Sequence, residues 1–406
     1  MTGSPTAVEP GSTMSRRQVL EALSGLLLGM FVSMLAATVV STSLPIIVHD
    51  LGGDQAAFTW VVTSTLLTTA ISTPIWGKLA DLTNRKVLIQ VALIIFVVAT
   101  AAAGFAQDTS MLIGFRAVQG IGAGGLAALS QIIMADIISP RERGRYMGLF
   151  GAVMALATVG GPLLGGAITD AFGWRWNFYV AIPFAIAAII LLQMTLHITR
   201  ERRKVSIDYP GTVLLSASVS LLLIWITSAG NSFEWMSIET LLMAGGALLG
   251  AVLFVIVELK VSEPLIPLSL FRDRTFTLSV IASIATGIAM FGASVFLSQY
   301  MQMARGATPT QAGLMTIPMI AGLLIASMLV GQLISKFGKW KSYLVVGSIL
   351  LIAGLYLLTT IQYDTNFVLV SIYMFLMGAG VGTTMQNLVL IVQNTAKPEE
   401  IGVSSS

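Results

Sequence analysis

The chain has 406 residues, 55% of them hydrophobic and 10% charged, with a mean hydropathy of +0.87. Soluble domains run at roughly 45–50% apolar and about 25% charged, so the composition is that of a polytopic membrane protein. Cys is absent, which removes disulfides, a thiolate metal site and a cysteine nucleophile. The two His residues, His49 and His197, stand far apart in sequence, which argues against a metal centre. The net charge of +3 does not point to nucleic acid, because the basic residues fall in loops between apolar runs.

Residues 1–15 are polar, with Gly, Ser, Thr and Pro, and predict a disordered tail. The pair Arg16-Arg17 precedes an apolar run too long for a signal peptide, which predicts a retained first spanning helix. A span needs about 20 apolar residues. Twelve runs qualify: 18–47, 56–77, 86–106, 110–137, 144–171, 175–198, 208–229, 238–260, 274–303, 310–336, 341–361 and 365–394. Turn-forming residues such as Leu51-Gly52-Gly53-Asp54 and Ser139-Pro140 separate them. With the N-terminus inside, all of the 22 Lys and Arg residues except Arg116, Arg175 and Arg305 fall on one side. The positive-inside rule makes that side, with both ends of the chain, cytoplasmic.

The densest charge lies in Gly77-Lys78-Leu79-Ala80-Asp81-Leu82-Thr83-Asn84-Arg85-Lys86, between two long apolar runs. A shift of 254 residues lays it over Gly331 to Trp340: Gly77 meets Gly331, Leu79 meets Leu333, Asn84 meets Gly338 and Arg85 meets Lys339, while Asp81 meets Ser335. A second match follows at a shift of 258. Gly120, Gly122 and Gly124 fall on Gly378, Gly380 and Gly382, Asp136 on Asn394, and Arg116 on Met374. Two matches in the same order at nearly one offset predict a duplicated unit. The expected organisation is a tail at 1–15, a six-helix bundle at 16–198, two inserted helices within 199–260, and four helices of a second bundle at 261–406, two short of the repeat.

These stretches resemble the major facilitator superfamily. The opening loop is similar to its G-x-L-a-D-r-x-G-r-[RK] signature, with Asn84 at the usual Gly. Leu112 to Gly122, through Arg116 and Gln119, resembles the fourth-helix motif. Gly160-Gly161-Pro162-Leu163-Leu164-Gly165-Gly166 resembles the G-P-x-x-G-G antiporter motif, and Gly173-Trp174-Arg175-Trp176-Asn177-Phe178 a sixth-helix motif. Pro264 to Phe276 is similar to the connection after the inserted pair in fourteen-helix drug–proton antiporters. At Leu35-Ala36-Ala37-Thr38, Ala36 stands where that branch carries Asp.

The resemblance implies an all-helical fold of two pseudo-repeated bundles. It also implies a multi-pass plasma-membrane exporter of amphipathic or aromatic compounds, monomeric, exchanging them for protons with no cofactor. A transport-dead sensor or binding protein and a proton-coupled uptake symporter are the alternatives. An enzyme and an ATP-driven pump are disfavoured, since neither paired midplane carboxylates nor a G-x-x-x-x-G-K-[ST] loop occurs.

Arg116 is a charge within a span, which should face an interior or a cavity. It is a candidate with Gln119 for proton coupling or substrate contact, or a hub for backbone carbonyls. Gly161, Pro162, Gly165 and Gly166 fit a hinge and seal, or plain tight packing. Gly77, Asp81, Arg85, Asp136 and Arg143 fit a cytoplasmic gate, or a loop that sets topology. The resemblance implies that Arg85 pairs with Asp136 and that Asp81 faces a helix of the other half. That helix would lie beyond residue 406, leaving Asp81 without a partner and the gate loose. Thr38, Thr42, Thr69, Met290, Phe291, Gln299, Tyr300 and Met374 are the candidate cavity residues, a Met-containing set suited to varied apolar shapes. Trp174, Arg175 and Trp176 fit an aromatic belt at the outer interface.

Overall fold

A chain crossing lipid must satisfy every backbone N–H and C=O internally, and an α-helix does this within one segment. The computed structural model describes residues 16–138, 142–196, 208–230, 233–261, 264–307, 309–338 and 340–395. The tail expected at 1–15 lies outside them. Each of the twelve predicted runs is helical: α1 (Arg16–Asp50), α2 (Gln55–Leu82), α3 (Arg85–Gly104), α4 (Thr109–Ile137), α5 (Arg143–Phe172), α6 (Trp176–Tyr179) with α7 (Ala181–Thr195), α8 (Tyr209–Ser228), α9 (Ile238–Glu258), α10 (Arg274–Gln299), α11 (Pro309–Met315) with α12 (Ile317–Phe337), α13 (Lys341–Leu358) and α14 (Phe367–Thr395). Ten of these spans are long and apolar enough, among the described residues, to cross a membrane. The remaining two, α5 and α10, have 30 and 26 residues.

Short polar side chains set the starts. Asp54, Asn84, Asp108, Asp208, Ser237 and Asp273 each accept a first-turn amide, of Ala57, Lys86, Met111, Gly211, Thr240 and Phe276. Such caps satisfy donors that a helix start leaves open. Two runs break where one helix was expected. The sixth divides at Val180, and the run 310–336 divides at Thr316, with Pro318 in the first turn of α12. The run 274–303 ends in a π-turn at Tyr300–Ala304.

The repeat is a three-dimensional fact. In the first unit α4 packs on α2 and α3; in the second α14 packs on α12 and α13. The glycine matches mark where the backbones touch. A methyl built at Gly120 would collide with the Thr65 carbonyl, and one at Gly378 with the Met319 carbonyl. Gly124 abuts the Thr69 carbonyl, and Gly382 that of Leu323. Thr65 and Thr69 lie 254 residues before Met319 and Leu323, so both shifts read from the sequence meet at one interface. Small residues at such points let helices approach without a large apolar driving force.

The units meet where α5 packs on α12 and α14. At the end bearing the Lys78–Lys86 loop, Gln393 Nε2 donates to the Gln131 carbonyl at 3.4 Å. The inserted helices α8 and α9 pack on each other, and α8 on α2.

Candidate functional site

The first site lies two turns into α4. Arg116 and Gln119 sit one turn apart on a face buried against α2 and α3. Arg116 is 5% exposed and Gln119 1%. Arg116 Nη1 donates to Gln119 Oε1 at 2.6 Å, and Gln119 Nε2 donates to Thr100 Oγ1 at 2.8 Å. The Thr100 hydroxyl donates to the Phe96 carbonyl. The chain of donors thus runs from the guanidinium across to α3. Arg116 Nε is buried with no hydrogen-bond partner. A permanent charge with an unsatisfied donor is held in a membrane span, where each unpaired polar group costs several kcal/mol. Thr65 donates from α2 to the Arg116 carbonyl at 3.2 Å, fixing the helix that carries the charge. Thr100 was not among the sequence candidates; an isolated Thr in an apolar run was its only signal.

The second site is the charged loop. Arg85 is 1% exposed and forms an ion pair with Asp136 of α4. Its Nη2 lies 3.2 Å from Asp81 Oδ1, and its Nε donates to the Ala80 carbonyl at 3.0 Å. The pairing implied for Arg85 and Asp136 is present. The expectation that Asp81 lacks a partner is corrected: one turn separates it from Arg85 across the short loop, and the guanidinium fork serves both carboxylates. Gly77, one turn before Asp81 on α2, is buried. Lys78 Nζ donates to the Pro264 carbonyl at 2.9 Å, a link between the loop and the chain after α9 that sequence reasoning missed.

The third is the glycine face of α5, which lies against α1. A methyl at Gly161 would strike Thr38, and one at Gly165 would come within 2.6 Å of the Val39 carbonyl. Thr38 Oγ1 donates to the Ala157 carbonyl at 2.9 Å, so this cavity candidate is engaged at the α1–α5 contact. Gly160 and Gly166 face open space instead. Further along, Asn177 Nδ2 donates to Ser43 Oγ and Thr169 Oγ1, both at 2.7 Å. This buried knot ties α1, α5 and α6 together.

The remaining cavity candidates are dispersed. Thr69 donates to the Gly120 carbonyl at 3.1 Å, between α2 and α4. Met374 is fully buried in the apolar core of the second unit, with Met290 and Tyr300 packed against it. The Tyr300 hydroxyl donates to the Gln362 carbonyl at 2.6 Å. The side chains of Thr42, Arg143, Pro162, Phe291 and Gln299 lie outside the described residues. The belt expectation divides. Trp176 is 54% exposed, as an interfacial ring should be. Trp174 is buried, donates to Asp50 Oδ2 at 2.7 Å and lies under the Arg175 guanidinium.

Comparison with known proteins supplies the family. A family model described as Major Facilitator Superfamily matches residues 26–406. The chain is 37% identical over 392 residues to the multidrug transporter protein MdtP of Bacillus subtilis, covering 97% of this chain and 72% of that protein. It is 34% identical to multidrug resistance protein 3 of the same organism, covering 94% of this chain and 74% of the relative. An uncharacterized MFS-type transporter of Mycobacterium tuberculosis, Rv1877, is 35% identical across 100% of the chain, which spans 59% of its length. Among solved structures the fold is similar to the human organic anion transporter MFSD10, with a TM-score of 0.68 and 15% identity over 95% of this chain and 88% of that one. The proton:xylose symporter XylE gives 0.66 and 14%, over 97% and 86%.

Proposed function

The chain belongs to the major facilitator superfamily, a family of membrane transporters and not of enzymes, and we propose that this member exports amphipathic and aromatic compounds in exchange for protons by alternating access. The direction and the class of compound are supported by relatives named as multidrug transporters and efflux pumps. The observation that carries the coupling is the Arg116–Gln119–Thr100 chain. A buried guanidinium with an unbonded Nε is poised to meet a negative or polar group, as a structural residue need not be. It can stabilise a deprotonated partner or the polar end of a bound molecule, so that proton and compound compete for one place.

The glycine face of α5 supports the conformational part. This helix packs on α1 of the first unit and on α12 and α14 of the second, so tilting it changes both bundles together. The Arg85–Asp136–Asp81 cluster would brace the cytoplasmic end of the first unit as part of the cytoplasmic gate, giving the second unit a fixed surface to close against. The proton gradient is the energy source, no cofactor takes part, the carrier acts as a monomer, and the plasma membrane is its place.

Efflux of an amphipathic fluorescent dye from energised vesicles, with and without an uncoupler, tests the reading. Gradient-dependent efflux that the uncoupler abolishes is the expected result. Binding without movement, or efflux indifferent to the uncoupler, contradicts it.

A further inference from the structure

The inserted pair α8–α9 carries two buried acids that transport leaves unused. Asp208 precedes α8, and its Oδ1 accepts the Gly211 amide at 2.9 Å. Glu258 ends α9, and its two oxygens accept the amides of Leu265 at 3.2 Å and Ile266 at 3.1 Å. The residues are 3% and 4% exposed. Both carboxyls crowd Gly211. A methyl there would collide with Asp208 Oδ2 and come within 2.8 Å of Glu258 Oε1. Asp208 Oδ2 is buried and has no hydrogen-bond partner.

We propose that Asp208 and Glu258 form a one-proton site that latches the segment 264–266 to the inserted helices and, through the Pro264 carbonyl, to Lys78 of α2. Two carboxylates in contact and out of water cannot both ionise. One proton between Asp208 Oδ2 and Glu258 Oε1 satisfies the orphaned oxygen. A metal ion fits poorly, because the Leu265 and Ile266 amides already occupy Glu258 oxygens. No group of three metal-binding side chains occurs among the described residues.

Among the described residues, the surrounding charges do not take the proton's place. Tyr209 of α8 is 70% exposed, and Lys260, Arg272, Asp273 and Arg274 are exposed. On α2, Lys78 donates to the Pro264 carbonyl and Asp81 is paired with Arg85. A proton held more tightly in the folded state stabilises at low pH, and that stabilisation is lost as pH rises. Deprotonation would set two negative charges against each other. Since an amide N–H bonds a carboxylate more strongly than a carboxylic acid, the loosening at Leu265 and Ile266 comes from Asp208 repelling Glu258 out of its place. The loosening would pass to Lys78 by way of Pro264. The latch depends on neither the direction nor the coupling of transport.

Amide hydrogen exchange across residues 264–268 of the full chain in lipid nanodiscs, corrected for the intrinsic pH dependence of exchange, tests this. The wild type should lose protection as pH rises. Asp208→Asn, whose amide group donates to Glu258 where the shared proton did, should keep its protection over the same range. Infrared difference spectra on alkalinisation should show loss of a protonated-carboxyl stretch in the wild type, and the band should be missing from Asp208→Asn. If Asp208→Asn fails to assemble, Glu258→Gln must lack the band. Identical pH courses in wild type and variant, or no such band in the wild type, overturns the proposal.

Discussion

Helices α4 and α14 hold equivalent places in the two units, and their chemistry differs. Each is pressed by glycines onto the carbonyls of a partner, Gly120 on Thr65 and Gly378 on Met319. At the height where α4 carries Arg116 and Gln119, α14 carries Met374 and Met377, both fully buried. At a shift of 254, Thr100, the end of the polar chain on α3, becomes Gly354 on α13. A methyl at Gly354 would collide with the Met377 backbone nitrogen and come within 2.8 Å of its Cβ, so the side chain lost there lets the α14 backbone close on α13. The contrast teaches that the backbone interface is what duplication preserved. Side chains facing that interface were free to diverge, one unit holding a charge and the other soft apolar bulk.

Disturbing the shared part should do the most damage. Gly120→Leu and Gly378→Leu each drive a side chain into a backbone carbonyl that cannot move without its helix. Both should lose folded protein from the membrane, a destabilisation above about 4 kcal/mol, read as loss of monodisperse protein after detergent extraction. Survival of one variant and not the other would mean that the two interfaces are not equivalent.

Next in size is the ion cluster, which the first unit has at Asp81 and the second replaces with Ser335. Removing one partner of a buried pair costs about 3–5 kcal/mol, so Arg85→Ala and Asp136→Ala should each lower thermal stability strongly. Reversing the two charges together should recover more stability and activity than either single reversal does. The absence of any recovery would argue that Arg85 acts chiefly through Asp81 and the Ala80 carbonyl.

The smallest contrast lies within α5. Gly161→Ala forces a methyl onto Thr38, an overpacking worth about 1–3 kcal/mol. Gly166→Ala meets open space, and alanine's helix preference gives up to about 1 kcal/mol in its favour. Melting temperatures of the two variants should move in opposite directions, and equal shifts would remove the α1–α5 contact from the account.

Much of the scaffold was legible in the sequence because lipid imposes it. Apolar length marked the spans, and Asp54, Asn84 and Asp108 marked the starts through their capping chemistry. The glycine offsets disclosed the repeat, since close backbone approach has one sequence solution. Partners distant in the chain were harder. Lys78 gives no local sign that it will reach the Pro264 carbonyl, and Asp208 none that it will face Glu258. Asn177 stood inside a recognised motif, but nothing in its neighbourhood named Ser43 and Thr169. Ala36, where the resemblance implied an acid, lies in the apolar core of the first unit. The sequence showed the missing acid; its burial shows that packing occupies the position.

The central claim is that the coupling chemistry sits in the first unit, at Arg116, while its counterpart in the second unit only packs. Gradient-driven dye efflux from vesicles containing Arg116→Met, set beside Met374→Leu at matched protein levels, tests it most directly. The account predicts that Arg116→Met abolishes efflux with the protein still in the membrane, and that Met374→Leu keeps most of it. Wild-type efflux from Arg116→Met, or equal loss in both variants, would contradict it.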